Sequence, residues 1–178
     1  MGQLKPIDAA WELDRKAQLE GWPFHCDAIL DFERPELNAL RDLWRSRSQG
    51  KLAPSRADFD ARTLKSYLRN ILIIERVFLA PGCWRYRTRL AGTAVTEMIG
   101  DPTGKFLEEQ LPLELVPRWA STYDATLDGG QPMRLVADFE IPQLAFLRGE
   151  ALVAPLADRD GKLTLVFGCI YFKPKPSR

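Results

Sequence analysis

Two segments of this chain are apolar at both parities, and that constrains the fold more than any other feature. In Ile71-Leu72-Ile73-Ile74-Glu75-Arg76-Val77-Phe78, Ile71, Ile73 and Val77 share one parity, while Leu72, Ile74 and Phe78 share the other. In Leu163 to Phe172, Leu165, Phe167, Cys169 and Tyr171 oppose Val166, Ile170 and Phe172. Successive side chains of a strand point to opposite faces. Each segment therefore predicts a central strand that needs apolar cover on both sides. Trp84 to Leu90 behaves differently. Trp84, Tyr86, Thr88 and Leu90 lie on one parity and Arg85, Arg87 and Arg89 on the other, as in a strand with one wet face.

Around these strands the remaining elements come in order. A helix is predicted over Ile7 to Leu19 with Asp8 as its N-cap, ended by Gly21-Trp22-Pro23. Pro35 opens a second helix, whose Leu37, Leu40, Leu43 and Trp44 share one face, and Gly50 closes it. A short helical turn leads from Asp58 toward Leu68. Pro81-Gly82 joins the first two strands as a hairpin. A short helix is expected over Thr93 to Ile99, and the longest helix over Leu113 to Leu127, with Leu115, Trp119, Thr122, Tyr123 and Thr126 facing inward and, because Pro117 falls early in it, a regular part that begins near Val116. Strands over Met133 to Ile141, Glu150 to Leu156 and Leu163 to Phe172 complete the series, the last two joined by the loop Asp158-Arg159-Asp160-Gly161. Hairpin-length connections make the sheet antiparallel, and the helical insertion between strands two and three makes the fold class α+β. The expected organisation is an N-terminal helical extension over 1–34, a domain over 35–173 and a frayed tail over 174–178.

Composition excludes several classes of function. The 178 residues carry a net charge of +1, so the molecule has no global field to draw it to nucleic acid or membrane. Charge is uneven along the chain: twelve Lys or Arg against four acids from Arg41 to Arg89, and four Arg against ten acids from Phe106 to Asp160. Three cysteines without a CxxC spacing and one histidine give neither a disulfide framework nor a metal-ligand set, so no metal site is expected. No run approaches the ~18 apolar residues of a membrane span. Met1-Gly2-Gln3-Leu4-Lys5 shows no secretory h-region, and Pro6 replaces the Ser or Thr that a myristoylation signal at Gly2 requires. The expected location is the cytoplasm.

The motifs with a chemical reading are weak. His25 beside Cys26 lacks a third, orienting group. Ser55-Arg56-Ala57-Asp58 reads as a capping box. The arginine stripe reads as a solvated face with Glu75 and Glu140 as partners, and nucleic-acid binding is not expected from it. Gly100-Asp101-Pro102-Thr103-Gly104-Lys105 lacks the phosphate-loop pattern. Glu108-Glu109 are adjacent on a polar loop, with no apolar pocket to set them apart as acid and base. No catalytic residue is assigned.

Several of these segments together resemble one family. Leu40-Arg41-Asp42-Leu43-Trp44-Arg45 followed by Pro54-Ser55-Arg56-Ala57-Asp58-Phe59-Asp60, then Tyr86-Arg87-Thr88-Arg89-Leu90-Ala91-Gly92-Thr93, Asp101-Pro102-Thr103-Gly104-Lys105 and Ala151-Leu152-Val153-Ala154-Pro155-Leu156, are similar to the motifs of a bacterial family of stand-alone PAS proteins of about this length. Ala61 and Pro102 depart from its pattern. The resemblance covers roughly residues 27–172. It implies a five-stranded antiparallel sheet in the order 2-1-5-4-3, with helices cupping one face. The double parity of strands 1 and 5 supports their central places independently.

The resemblance also implies a sensory or interaction role and names no cofactor. A ligand pocket in such a fold lies between the long helix and the inner sheet face, where Tyr86, Thr88, Met98, Phe106, Trp119, Tyr123 and Phe139 are the expected lining. The same bulky side chains are able to fill that space as core. The back of the sheet needs cover from the N-terminal helix, with Trp11, Leu13, Leu19 and Trp22, or from a second copy of the chain. The expected function is a non-enzymatic sensory or regulatory module that works by homodimerisation or by docking on a signalling partner. A small-molecule receptor is the alternative and an enzyme a remote one.

Overall fold

The computed structural model describes residues 6–176 and contains five α-helices, α1 (Pro6–Glu20), α2 (Pro35–Ser48), α3 (Thr93–Ile99), α4 (Leu107–Gln110) and α5 (Val116–Gly129). Six strands form one antiparallel sheet: β1 (Phe24–Asp27), β2 (Ile71–Ala80), β3 (Cys83–Ala91), β4 (Met133–Asp138), β5 (Leu147–Ala157) and β6 (Leu163–Pro174). Their spatial order is β1-β4-β5-β6-β2-β3. The five expected strands stand in the expected order, and a sixth is added. Strand β1, from the segment expected to be helical extension, pairs with β4 at Phe24–Ala137 through Asp27–Arg134. Gly2 and the signal-like residues around it lie outside the described residues, as do the last two residues of the tail.

The two central strands are covered as their parity demands. On the inner face, Ile74 of β2, Val166 of β6 and Val153 of β5 join Leu127 and Tyr123 of α5 and Leu13 and Ala17 of α1 in one cluster. On the back face, Ile71, Ile73, Phe167, Cys169, Leu152 and Leu156 join Leu37, Leu40 and Trp44 of α2, with Phe59 and Leu64 from the turns after it. Fully burying a side chain of this size contributes roughly 1.5–3 kcal/mol. Here the structure corrects two expectations: helices cover both faces of the sheet, and the back is sealed by α2 and the 53–68 segment. Helix α1 lies instead against α5, with the methyl of Ala9 close to Gly129 and Lys16 Nζ donating to Ser121 Oγ at 2.9 Å. Trp11 and Leu19 of α1 face solvent, 60% and 76% exposed.

Local chemistry explains most boundaries. Helix α2 starts at Pro35, where the missing N–H is one of the four that have no helical partner. It ends at Gln49 and Gly50, both left-handed. The Ser55 capping box forms: Ser55 Oγ accepts from Ala57 N at 3.2 Å and Asp58 Oδ2 from Ser55 N at 2.9 Å. One boundary differs from the sequence reading. Asp8 lies inside α1, which already begins at Pro6. The regular part of α5 begins at Val116, as expected from Pro117: Leu113–Leu115 form a 3-10 turn and Pro117 sits in the first helical turn.

Strand β3 holds a further correction. Its pairing with β2 shifts between Ile73–Leu90 and Ile74–Thr88, so Arg89 is a bulge residue. The extra residue turns Leu90 to the back face with Phe59 and Phe167, away from Tyr86 and Thr88. Strict alternation predicted all four on one face.

Candidate functional site

Arg76 is an arginine on the inner face of a β-sheet and only 8% exposed. It sits in β2 at the parity of Ile74, directly under α5. A buried guanidinium is costly unless its donors are paired, and this one is. Its Nε donates to Tyr86 Oη at 3.0 Å, its Nη2 to Asp124 Oδ1 at 2.9 Å and its Nη1 to Asp128 Oδ1 at 2.9 Å. The guanidinium also lies over the Trp84 ring, 4.8 Å from its centroid.

Asp124 is the opposite pole. Its Oδ1 accepts from Arg76, from Trp84 Nε1 at 2.9 Å and from the Tyr86 hydroxyl. The cluster therefore has a simple polarity: the donors belong to the β2–β3 hairpin, and the carboxylates belong to two successive turns of α5 (Asp124 and Asp128, four residues apart). Four hydrogen bonds cross from sheet to helix. Burial and the Asp124 hydrogen bond both push the Tyr86 phenol upward, so it stays protonated and remains a donor. Burial disfavours the Arg76 charge, but the Asp128 hydrogen bond and the nearby tyrosine outweigh it and raise its pKa.

Next to this cluster aromatic and hydroxyl side chains are buried between α5 and the sheet. Tyr86 and Tyr123 meet edge to face at 5.2 Å. Thr88 is 1% exposed, with its hydroxyl 3.1 Å from Gln110 Nε2. Tyr123 is 7% exposed, and burial alone pushes its pKa up. Of the seven residues expected to line a pocket, the structure brings Tyr86, Thr88 and Tyr123 into this core. Trp119 stands further along α5, its ring stacked 6.3 Å from Phe24, which is 5.7 Å from Trp22. Phe139 packs on Phe172 at 5.4 Å, beyond β4 at the far end of the inner face. Met98 is half-buried on α3.

Phe106 is placed elsewhere. Lys105 O accepts from Thr88 N at 2.9 Å and Gly104 N donates to Thr88 O at 2.8 Å, so residues 104–106 add to the open edge of β3. That puts the Phe106 ring under Arg85, 3.8 Å from its guanidinium carbon, on the arginine face. The stripe itself is paired: Arg85 with Glu108, Arg87 with Glu75 at 2.8 Å and Arg89 with Glu75 at 3.4 Å. Glu140, the other expected partner, binds Arg118 at 2.6 Å instead.

Two depressions of the surface lie outside the expected pocket. One is a groove between α1 and α5, of about 430 Å³, reaching Asp124 and Asp128 from the solvent side. The other, of about 400 Å³, lies between Lys51–Ser55 and the β5–β6 loop. His25 is on the edge strand β1, its Nδ1 2.8 Å from Asp14 Oδ1. Cys26 and Cys169 are buried, and burial pushes both thiols up to about 12.

Sequence reasoning did not single out Arg76, Asp124 or Asp128. The signal was present in part: an arginine at the inner parity of an otherwise apolar central strand demands a carboxylate partner, and Asp124 and Asp128 are the acids that α5 offers. Deciding between that and a wet strand end required the position of α5.

Comparison with known proteins adds three findings. The sequence profile described as PAS domain matches residues 32–171. No curated protein matches the chain. Among solved structures, the chain is similar to "Structure of an RNA-binding Light-Oxygen-Voltage Receptor", with 12% identity and a TM-score of 0.46 over 83% of this chain; the match spans 38% of that receptor's chain.

Proposed function

The chain belongs to the PAS domain family, and from that premise we propose that it is a sensory or regulatory module that acts through contact with another protein or a second copy of itself, without catalysis. The observation that carries this reading is the Arg76 cluster. It joins the β2–β3 hairpin to α5 by four hydrogen bonds that share two carboxylates, so they form or break together. A rigid-body shift of α5 on the sheet would be an all-or-none event at this point, which is what a relay between two surfaces needs.

A filled interior favours this reading over a receptor for a large cofactor. Tyr86, Thr88 and Tyr123 occupy the space in which such a ligand would rest. A ligand would enter there only by displacing them, at a cost of several buried contacts. No helix among the described residues is long and apolar enough to cross a membrane.

Light scattering at about 100 µM, combined with a thermal-shift screen of metabolite classes, tests the proposal. The expected result is a dimer, or a monomer that no metabolite stabilises. A ligand present at 100 times its dissociation constant adds about 2.7 kcal/mol of stability. A stabilisation of that size by one metabolite class would replace the contact reading with a receptor.

A further inference from the structure

The layer over the back of the sheet is rich in positive charge. From Arg41 to Arg69 there are eight basic residues (Arg41, Arg45, Arg47, Lys51, Arg56, Arg62, Lys65, Arg69) against three acids (Asp42, Asp58, Asp60), a net +5 in a chain whose total is +1. Three of the eight are engaged. Arg41 binds Asp42 and the Leu30 carbonyl, Arg56 donates to the Phe59 carbonyl, and Arg69 approaches Glu97. The other five, Arg45, Arg47, Lys51, Arg62 and Lys65, are exposed and make no ion pair among the described residues. Elsewhere Arg85, Arg87, Arg89, Arg118, Arg134 and Arg148 face carboxylates, and the other cations without an ion pair among the described residues, Lys16, Arg34, Lys105, Arg159 and Lys162, are spread over α1, the entry to α2, the edge of β3 and the β5–β6 loop.

These free cations are held on one rigid layer. Trp44 anchors α2 to the sheet, its Nε1 donating to Pro155 O at 3.0 Å, and Phe59 packs on Phe167 at 5.4 Å. Beside Lys51 lies the depression of about 400 Å³, bordered by Ser55, Arg159 and the half-exposed Leu52.

We infer that this layer, α2 together with residues 51–65, is the docking surface for an acidic segment of a partner protein, with an apolar side chain resting on Leu52 and a carboxylate between Lys51 and Arg159. A protein fits better than a nucleic acid. Asp42, Asp60 and Asp158 are interspersed among the cations and would repel a continuous phosphate backbone, with about one charge per 1.7 Å of duplex. The layer also offers no exposed aromatic for base stacking: Trp44 is 4% exposed and Tyr67 half-buried. Discrete carboxylates between apolar contacts suit such a mixed surface. The inference names the contact surface for the module proposed above, and it stands or falls separately from that module's oligomeric state.

Fluorescence anisotropy of the full chain with a labelled peptide of about fifteen residues, alternating Glu-Asp pairs with Leu, tests it. Two competitors accompany the peptide: a duplex DNA of about 20 base pairs and phosphatidylserine vesicles. The peptide is expected to bind most tightly of the three, and more weakly as salt rises. The triple variant Arg45→Glu, Arg47→Glu, Lys51→Glu, checked for native circular dichroism, is expected to lose at least tenfold in affinity. Arg15→Glu on α1 serves as control and is expected to leave binding unchanged. Tighter binding of the duplex or the vesicles, absence of peptide binding at about 50 mM salt, or peptide binding unaltered by the triple reversal would each overturn the inference.

Discussion

Asp124 and Asp128 both bind Arg76, yet they stand in different surroundings and should not be equivalent. Asp124 is 36% exposed and gathers three donors on one oxygen; Asp128 is 57% exposed and accepts one. Removing Asp124 leaves Arg76, Tyr86 and Trp84 with unmatched donors in a half-dry site. Asp124→Ala is therefore expected to cost about 2–4 kcal/mol in urea unfolding, and Asp128→Ala less than about 1 kcal/mol. Glu150 is a second such residue. It is 3% exposed and accepts from Glu33 N at 3.0 Å, Arg34 N at 3.2 Å and Arg134 Nε at 2.8 Å, which ties the entry to α2 onto β5. Glu150→Ala is expected to cost about 3 kcal/mol, because it leaves the Glu33 and Arg34 N–H groups unmatched and Arg134 with Asp27 as its remaining carboxylate.

The thiols give a pH prediction with a definite sign. Cys26 is raised to about 12, by burial first and then by Asp14 and Asp27; Cys169 is raised to about 12, by burial and then Glu36. In the unfolded chain both ionise near 9, so above that pH the unfolded state releases protons that the folded state keeps. Their contribution to stability is complete below pH 9 and is lost as pH rises toward 12. Urea midpoints should fall between pH 8 and pH 10.5, and fall less in a Cys26→Ala, Cys169→Ala double variant. At pH 8 a thiol reagent should label Cys83, which is exposed, and spare the other two until the chain unfolds.

At the scale of elements, a single glycine explains one of the sequence motifs. Gly92, in the run Tyr86 to Thr93, closes β3 and opens α3. Its N–H donates to Ile71 O at 2.7 Å, and a Cβ there would lie 2.2 Å from Leu68 O and 2.4 Å from Arg69 O. Both are backbone atoms that no rotamer change moves. Gly92→Ala is expected to destabilise the protein by several kcal/mol and to loosen α3 against residues 68–70, readable by chemical denaturation.

The elements also show where sequence reasoning reaches its limit. The parity of β2 and β6 predicted two-sided cover, and Ile71, Ile74, Val166 and Phe167 are buried accordingly. Parity says nothing about which helix supplies each cover, because α1 and α2 both offer an apolar face. The structure gives the back to α2 and the inner face to α1 and α5. Strand β1 was illegible for a related reason. Its four residues are too few to show a period, and Gly21-Trp22-Pro23 marks a turn without specifying the element after it. The bulge at Arg89 adds one residue and leaves no compositional mark, so alternation alone puts Leu90 on the wrong face. Of the expected pocket, the aromatic filling was visible in Tyr86 and Tyr123. The salt bridge beside it was not, because a polar residue near a strand end reads equally well as solvated.

For the whole molecule, the sheet is a wall with two different sides. One side is bound to α5 through the Arg76 cluster, and the other carries a positively charged layer built on α2. A change on one side is felt on the other only if α5 and the sheet are coupled, and in the function proposed above the Arg76 cluster is the coupling element. Hydrogen–deuterium exchange of native protein and of Asp124→Asn, monitored across α5 and the β2–β3 hairpin, measures that directly. The substitution keeps the shape and removes the charge that gathers the three donors. The account predicts that amides in 116–129 and in 76–86 lose protection together and by a similar factor. Loss of protection in α5 alone, with the hairpin unchanged, would contradict it.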